Sequence, residues 1–315
     1  MRVAVVGSMV ADTIEHTDGS VTDSLGGIAH AVAVLAALVG EEHTILPLCR
    51  VGNDCRVRVE QWAAGLAGVD LAAVDFAAAP TPRVRLSYGE APEAGERVER
   101  IRGPLSPLQA ADVVAAAGAD IVLANCITGA DCTPATIAAL RAATSRLYLD
   151  VHSLALGHAA DGARFYRARD DWESWLRHPD VAQCNRGEAA TICGLPAKRA
   201  GKEEVIAALT DRMQQAATPM PPVWLLTLGA DGGVLLQRHG DEINRADIIA
   251  PTVDAIDPTG AGDACGAGYV AAGLSGATPL EAARQAIRTA SAATTIPGSP
   301  EPTALRRVLE SLAQT

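Results

Sequence analysis

The sequence predicts an α/β protein, a doubly wound and mostly parallel β-sheet with helices on both faces plus a small β-sheet lid. Three observations support this prediction. Short apolar runs rich in β-branched residues recur along the chain, as is typical of buried parallel strands. Longer helical stretches separate these runs. Two polar, turn-rich segments interrupt the alternation and indicate hairpins outside the main sheet.

The predicted elements alternate along most of the chain. We expect the main strands at residues 3–6, 44–51, 120–125, 147–151, 181–184 and 223–228. We expect helices at residues 27–40, 55–66, 107–117, 134–143, 203–217, 259–274, 279–295 and 302–312. An extended run at 247–256 should precede the helix that starts at 259. This order favours right-handed crossovers between parallel strands.

The two interruptions divide the chain into a core and a lid. The core is expected to comprise residues 1–12, 26–81 and 103–315, and the lid residues 13–25 and 82–102. The first lid segment contains the turn Thr-Asp-Gly, and the second alternates apolar and polar residues around 89–95. The alternative is a pair of surface hairpins that do not act as a lid.

Composition excludes several classes of partner. The net charge is −11, from 26 basic and 37 acidic residues, which argues against a nucleic-acid partner. The seven cysteines form no Cys-x-x-Cys pair, which favours a reducing cytoplasm over a disulfide scaffold or a zinc ribbon. The first residues do not resemble a signal peptide, and no apolar run reaches the roughly 18 residues of a membrane span.

The most informative stretch is the sequence Asp-Pro-Thr-Gly-Ala-Gly-Asp at residues 257–263. Small residues at Gly260, Ala261 and Gly262 let the backbone approach a ligand, and N–H groups at a helix N-terminus attract anions. Asp263, in the first helical turn, could accept a proton from an attacking alcohol. The structural alternative is that Asp263 only caps the helix and the glycines only permit a tight turn.

This stretch resembles the C-terminal signature of the ribokinase, or PfkB, family of carbohydrate kinases. The resemblance implies an ATP-dependent kinase in which the Gly-Ala-Gly residues 260–262 form the anion hole. It also implies that Asp263 is the general base. Family members often bind a monovalent cation beside the anion hole, which would place K⁺ at Asp257.

Two further motifs resemble the nucleotide-binding segments of this family. Asn185 and Glu188 match its Asn-x-x-Glu motif, which organises Mg²⁺ and the donor phosphates, and Glu188 is expected to act through metal-bound water. Thr227, Gly229 and Gly232 match its Thr-x-Gly-x-x-Gly segment. Taken singly, the first motif could be an ordinary helix start and the second a plain glycine hairpin.

The N-terminal third resembles the family's substrate segments. Asp12 stands where a family carboxylate binds substrate hydroxyls, and Gly26 and Gly27 match the paired glycines that hinge the lid and touch the substrate. Because these motifs and the later ones follow the family order, the resemblance covers nearly the whole chain.

The chain departs from the family at one substrate position. Where many members carry a substrate-binding Asn, this chain has Ala31, with His30 beside it. His30 is therefore a candidate replacement, or else a packing residue on an Ala-rich helix; the other alternative is that the substrate lacks the hydroxyl that the Asn binds. Asn125 and His152 end predicted strands at the ligand-binding edge of the sheet and are further candidate substrate contacts. Their structural alternative is a loop residue bonded to the backbone.

The functional prediction is therefore a kinase that uses ATP and Mg²⁺ to phosphorylate a hydroxyl of a small sugar. Sugar phosphates and nucleosides stay open as acceptors, so a nucleoside kinase is one alternative. A non-catalytic member that binds a metabolite and regulates a partner is another. A dinucleotide-dependent dehydrogenase is disfavoured, because the first strand is not followed by Gly-x-Gly-x-x-Gly. The lid could also form a homodimer contact.

Overall fold

The computed structural model describes residues 1–88, 98–103 and 106–313. The turn region expected at 89–95 therefore lies outside the described residues. The described chain forms a large sheet covered by helices on both faces, with a separate four-stranded sheet. This confirms the predicted fold class.

The main sheet contains nine strands in the order β15-β14-β13-β12-β9-β8-β1-β4-β5. The seven strands from β13 to β5 pair in parallel, whereas β14 and β15 form an antiparallel extension at one edge. These strands are β1 (Arg2–Gly7), β4 (Thr44–Gly52), β5 (Val74–Ala77), β8 (Ile121–Asn125), β9 (Leu147–Asp150), β12 (Val181–Asn185), β13 (Val223–Thr227), β14 (Gly233–His239) and β15 (Glu242–Ile248).

The smaller sheet has the order β3-β2-β6-β7. Its strands are β2 (Met9–Glu15), β3 (Val21–Gly27), β6 (Arg83–Ser87) and β7 (Val98–Arg102). The β2–β3 ladder starts at the pair Met9–Gly27, so this sheet includes residues 9–12 and 26–27, which the predicted boundaries had assigned to the core. A short hairpin of β10 (Leu156–His158) and β11 (Arg164–Tyr166) completes the described strands.

The helices begin and end at residues with clear local causes. Proline occupies the first turn of α3, α8 and α9, where its missing N–H costs nothing, and Gly40 ends α1 with a positive φ of 62°. The helices are α1 (Ile28–Val39), α2 (Arg56–Ala64), α3 (Pro134–Ala143), α4 (Trp172–Leu176), α5 (Arg186–Ile192), α6 (Lys202–Gln215), α7 (Ala261–Leu274), α8 (Pro279–Ala293) and α9 (Pro302–Leu312).

The core lies in two layers, one on each face of the main sheet. Along β1, Val3 and Val5 pack against α1, α7, α8 and α9, whereas Ala4 and Val6 pack into the layer that contains α3 to α6. This alternation follows from the period of two along a strand. No helix in the described ranges combines the length and apolar character that crossing a membrane requires.

Three predicted elements differ from the structure. The helix expected at 107–117 is a 3₁₀ segment at Ala110–Ala116, which buries only Val113 and Ala116 and so lacks a wide apolar face. The extended run expected at 247–256 is paired only as far as Ile248, the end of β15. Helix α7 begins two residues later than expected, because Gly260 adopts a left-handed conformation.

Candidate active site

A turn with free amides precedes α7 at the end of the glycine-rich stretch. Gly260 is the N-cap of the helix, with φ 76° and ψ 3°. The amides of Gly262 and Asp263 bond to no other group in the described part of the chain, whereas Ala261 N donates to Pro258 O at 3.2 Å. Two unpaired N–H groups at the positive end of a 14-residue helix form a place for an anion.

Buried polar side chains hold this turn against the sheet. Gln183 Nε2 donates to Gly262 O at 2.9 Å, and the Tyr148 hydroxyl donates to Gln183 Oε1 at 2.7 Å. Both side chains are buried. Neither residue was predicted from sequence, although a glutamine within an otherwise apolar strand is a usable signal, since buried amides need partners.

Asp263 points back to the carboxyl end of β8. Asn125 Nδ2 donates to Asp263 Oδ1 at 2.5 Å, so the amide orients the carboxylate. Burial raises the pKa of Asp263, whereas the positive charges of His30 and His152 and the Asn125 hydrogen bond lower it, and the net pKa lies above the ordinary value. Asn125, expected as a substrate contact, thus binds the proposed base.

The carboxylate of Asp12 lies across the site on β2, against the backbone of the paired glycines. Asp12 is 5% exposed, and a Cβ added at Gly26 would lie 1.7 Å from its Oδ2 atom. Gly27 has φ 63°, and a Cβ there would lie 2.3 Å from Ser8 O. A side chain at Gly26 would displace the Asp12 carboxylate, and one at Gly27 would press on the backbone of Ser8, so both positions require glycine.

Gly26→Ala should displace Asp12 and raise the acceptor KM by at least about tenfold, because small misplacements of positioning residues are costly. We expect only a small loss in the free energy of unfolding from backbone strain, because Gly26 does not have a positive φ. Steady-state kinetics with varied acceptor would measure it. Gly201→Ala is the control, since a Cβ there meets no atom within 4 Å. Equal acceptor KM values for the two variants would contradict this packing account.

His30 lies beneath the site, between Asp12 and the anion-binding turn. Its Nε2 atom is 3.6 Å from Asp12 Oδ2, and the residue is 2% exposed. Both ring nitrogens are buried, so in this conformation neither nitrogen is open to contact with a substrate. The structure thus brings His30 to the site but behind it.

The Asn-x-x-Glu motif forms a reciprocal cap at the start of α5. Glu188 N donates to Asn185 Oδ1 at 2.9 Å, while Asn185 N and Nδ2 donate to the two carboxylate oxygens of Glu188 at 2.8 and 2.6 Å. The helix-start interpretation of this motif is therefore correct as geometry. It does not exclude a role at the donor phosphates, because Asn185 is the last residue of β12 and Glu188 lies in the first turn after it.

His152 joins this cluster from the end of β9. Its Nδ1 atom lies 3.6 Å from Glu188 Oε1, and it is the one non-glycine residue in the described ranges with a positive φ, 33°. Burial lowers the pKa of His152, but Glu188 and Asp150 outweigh it and raise the pKa to about 9. The ring is therefore a cation near the proposed base.

A cavity of about 420 Å³ opens beside the anion-binding turn. Thr227, Gly229 and Gly232, expected at the nucleotide, line one wall, and Ala261 and Gly262 connect the cavity to the turn. The opposite wall was not predicted from sequence, because its small residues carry no chemical signature. This wall consists of Ala250, Pro251, Thr252, Val253, Ala255, Ile287, Ala290, Ser291 and Thr294.

Asp257 fastens the start of the glycine-rich stretch. Its two carboxylate oxygens accept hydrogen bonds from Thr259 N and Gly298 N, both at 2.9 Å. Burial raises the pKa of Asp257, but these bonds outweigh it and hold the pKa below the ordinary value. The hydroxyl of Tyr88, just after β6 of the small sheet, lies 2.9 Å from Thr259 Oγ1 and so connects that sheet to the stretch.

The charged groups do not form a cage for a metal ion. Within residues 1–88, 98–103 and 106–313, no group of three or more His, Cys, Asp or Glu side chains is arranged to hold one. Glu188 uses both oxygens in its cap, which fits a contact to Mg²⁺ through water rather than directly.

Comparison with known proteins gives a family match for most of the chain. Residues 92–304 match the family described as pfkB family carbohydrate kinase. No curated protein matches the chain.

Solved structures give the same fold. A ribokinase from Thermotoga maritima is 18% identical, with all of both chains covered and a TM-score of 0.73. A ribokinase from Arabidopsis thaliana, complexed with ribose and ATP, is 21% identical, with 98% of each chain covered and a TM-score of 0.72. A pyrophosphate-dependent kinase with a pyrophosphate analogue and myo-inositol is 17% identical, covers 98% of this chain and 100% of its own, and has a TM-score of 0.72.

Proposed function

The chain belongs to the pfkB family of carbohydrate kinases, and we propose that it transfers the γ-phosphoryl group of ATP to a hydroxyl of a small sugar. One observation carries this proposal. The unpaired amides of Gly262 and Asp263 belong to a helical turn whose residues Ala261 and Gly262 line a cavity, and the same turn carries the Asp263 carboxylate. A proton acceptor and an anion site are thus one residue apart.

The cavity favours a nucleotide donor. Its size of about 420 Å³ and its mainly small apolar lining suit a purine base, while pyrophosphate would leave it empty. Because Ala261 and Gly262 border the cavity, a nucleotide whose purine base lies there would extend its phosphates along Thr227 and Gly229 towards the turn. We therefore place the terminal phosphate at the amides of Gly262 and Asp263.

Residues of this chain would carry out the transfer as follows. Asp12 accepts hydrogen bonds from the acceptor and fixes its position beside the glycine pair. The acceptor hydroxyl loses its proton to Asp263 as its oxygen bonds to the γ-phosphorus, and the bond to the β–γ bridging oxygen breaks to release ADP. Asn125 keeps the carboxylate aimed at the acceptor.

The cluster at Asn185 and Glu188 would organise the donor phosphates. Mg²⁺ bound there through water would neutralise phosphate charge during the transfer. His152 adds a positive charge on the same side of Asp263 and is a candidate contact for the phosphate or the acceptor. We retain a K⁺ site at Asp257 as part of the proposal, to be tested by titrating activity with K⁺.

The residues around the acceptor position favour a sugar over a nucleoside. Carboxylates of Asp12 and Asp263 face it, and these favour hydroxyl donors. Aromatic residues make up only 3% of the chain, so stacking partners for a base are few. A nucleoside kinase of the same family stays the alternative.

The direct test measures product formation from purified protein. With ATP and Mg²⁺, we expect ADP release that depends on one or more members of a panel of sugars and nucleosides, and a phosphorylated acceptor visible by mass spectrometry. Binding of a panel member without any turnover would instead support the non-catalytic regulatory alternative.

Filling the cavity should separate ATP from pyrophosphate as donor. Ala290→Phe is expected to raise the KM for ATP by roughly tenfold or more, since each 1.4 kcal/mol of lost binding free energy is a factor of ten. Activity with pyrophosphate, if any, should not change. Ala207→Phe places the same side chain at an exposed position of α6 and is the control. An unchanged KM for ATP in Ala290→Phe would show that the purine base of ATP does not bind in this cavity.

A further inference from the structure

We propose that His30 is a positioning residue, a buried cation that holds the carboxylates of Asp12 and Asp263 ready for the reaction. This inference rests on the proposed function, which gives those two carboxylates their roles. It assigns His30 an action through its neighbours and not a contact with the acceptor.

Position is the first argument. The imidazole of His30 contacts both walls of the site, because Nε2 is 3.6 Å from Asp12 Oδ2 and the ring packs on Gly260. A Cβ added at Gly260 would lie 2.9 Å from His30 Cγ and 3.1 Å from Nδ1. One side chain therefore connects the strand that carries Asp12 with the N-cap of the helix that carries Asp263.

Unpaired polar atoms are the second argument. Both ring nitrogens are buried and have no hydrogen-bond partner in the described part of the chain. Burying polar atoms in this way is costly, and an apolar side chain would fill the same space on an Ala-rich helix without that cost. Packing alone therefore does not explain a histidine at this position.

Charge is the third argument. Three carboxylates act on the ring: Asp12 from β2, Asp257 from the stretch before α7, and Asp263 from α7. The sequence of α1 itself carries no other charged residue. Burial lowers the pKa of His30, but the adjacent Asp12 carboxylate and the charges of Asp263 and Asp257 outweigh it, and the net pKa lies above the ordinary value.

The effect on Asp263 follows from the same charges. Burial and the charge of Asp12 raise the pKa of Asp263, and the positive charge of His30 lowers it. Removing that charge should therefore shift the titration of Asp263 to higher pH, so that less of the base is ionised at neutral pH. Because His30 also adjoins Asp12, its loss should raise the acceptor KM as well.

The experiment is a carbon NMR titration of the Asp263 carboxylate in the protein without substrates, assigned with Asp263→Asn. In His30→Gln we expect Asp263 to titrate at higher pH than in the unchanged protein. His239→Gln makes the same chemical change at an exposed site and should leave the titration where it was. An Asp263 titration that does not move in His30→Gln overturns the inference.

Two further measurements test the inference if His30→Gln does not fold. Nitrogen NMR of the unchanged protein should show that the His30 ring loses its proton at a higher pH than an ordinary imidazole, and Asp12→Asn should lower that pH. A ring that is neutral at pH 6 would contradict the inference. Since these titrations need no turnover, a protein that transfers no phosphoryl group but shows both shifts would refute the proposed function and not the charge coupling.

Kinetics then separate positioning from packing. If His30 positions the carboxylates, His30→Gln raises the acceptor KM and moves the acid limb of the kcat–pH profile to higher pH. A purely structural role would lower the stability of the fold and leave that limb unchanged, which would count against the inference.

Discussion

Replacing Asp263 with asparagine is expected to lower kcat by about 10²- to 10⁴-fold, the range that general base catalysis contributes. Asparagine keeps the shape of the side chain, and its carbonyl oxygen can still accept the hydrogen bond from Asn125. It cannot take the proton of the acceptor hydroxyl. We therefore expect the fold and the ATP affinity to persist, as measured by circular dichroism and titration calorimetry.

The control for this variant is Asp241→Asn, at an exposed position after the end of β14. It removes the same charge from the surface and should leave kcat unchanged. A rate within about twofold of the unchanged protein for Asp263→Asn would show that Asp263 is not the base, because such a variant retains none of the basicity that the step needs.

Gly260→Ala is expected to lower kcat by about 10²-fold or more, close to the loss seen when one oxyanion donor is removed. Two effects combine. The left-handed backbone at Gly260 is strained for alanine by about 1–2 kcal/mol, and the new Cβ would lie 2.9 Å from His30 Cγ. Relief of this contact must shift either the turn that presents the amides or the ring beneath it.

Gly276→Ala carries only the first effect, so comparing the two variants isolates the second. Gly276 also has a positive φ, 81°, but a Cβ there meets no atom within 4 Å. Both variants should lose a similar free energy of unfolding from strain, measured by denaturant titration, yet only Gly260→Ala should lose activity. Similar kcat values for the two variants would mean that the turn at 260 does not serve the reaction.

The features predicted from sequence are those with local causes. The helix start within residues 257–263 depends on glycine geometry and on the free amides of a first turn. Both follow from residues that are adjacent in the sequence. The cap at Asn185 and Glu188 likewise needs only a spacing of three. Apolar runs of four to eight residues likewise predicted six of the seven parallel strands, all but β5.

The features that sequence did not predict depend on contacts between distant residues. Asn125 and Asp263 are 138 positions apart, and nothing local to either residue specifies their hydrogen bond. The contact of His30 with Gly260 arises only when α1 and α7 pack side by side. The second wall of the cavity is made of small apolar residues, whose role comes from their position and not from their chemistry.

The measurement that tests the central claim most directly is a crystal structure of the protein with Mg²⁺ and a non-hydrolysable ATP analogue. We predict that the terminal phosphate accepts hydrogen bonds from the amides of Gly262 and Asp263, with the carboxylate of Asp263 facing the space beside Asp12. A terminal phosphate bound elsewhere, or an Asp263 side chain with no open space before it, would contradict the account.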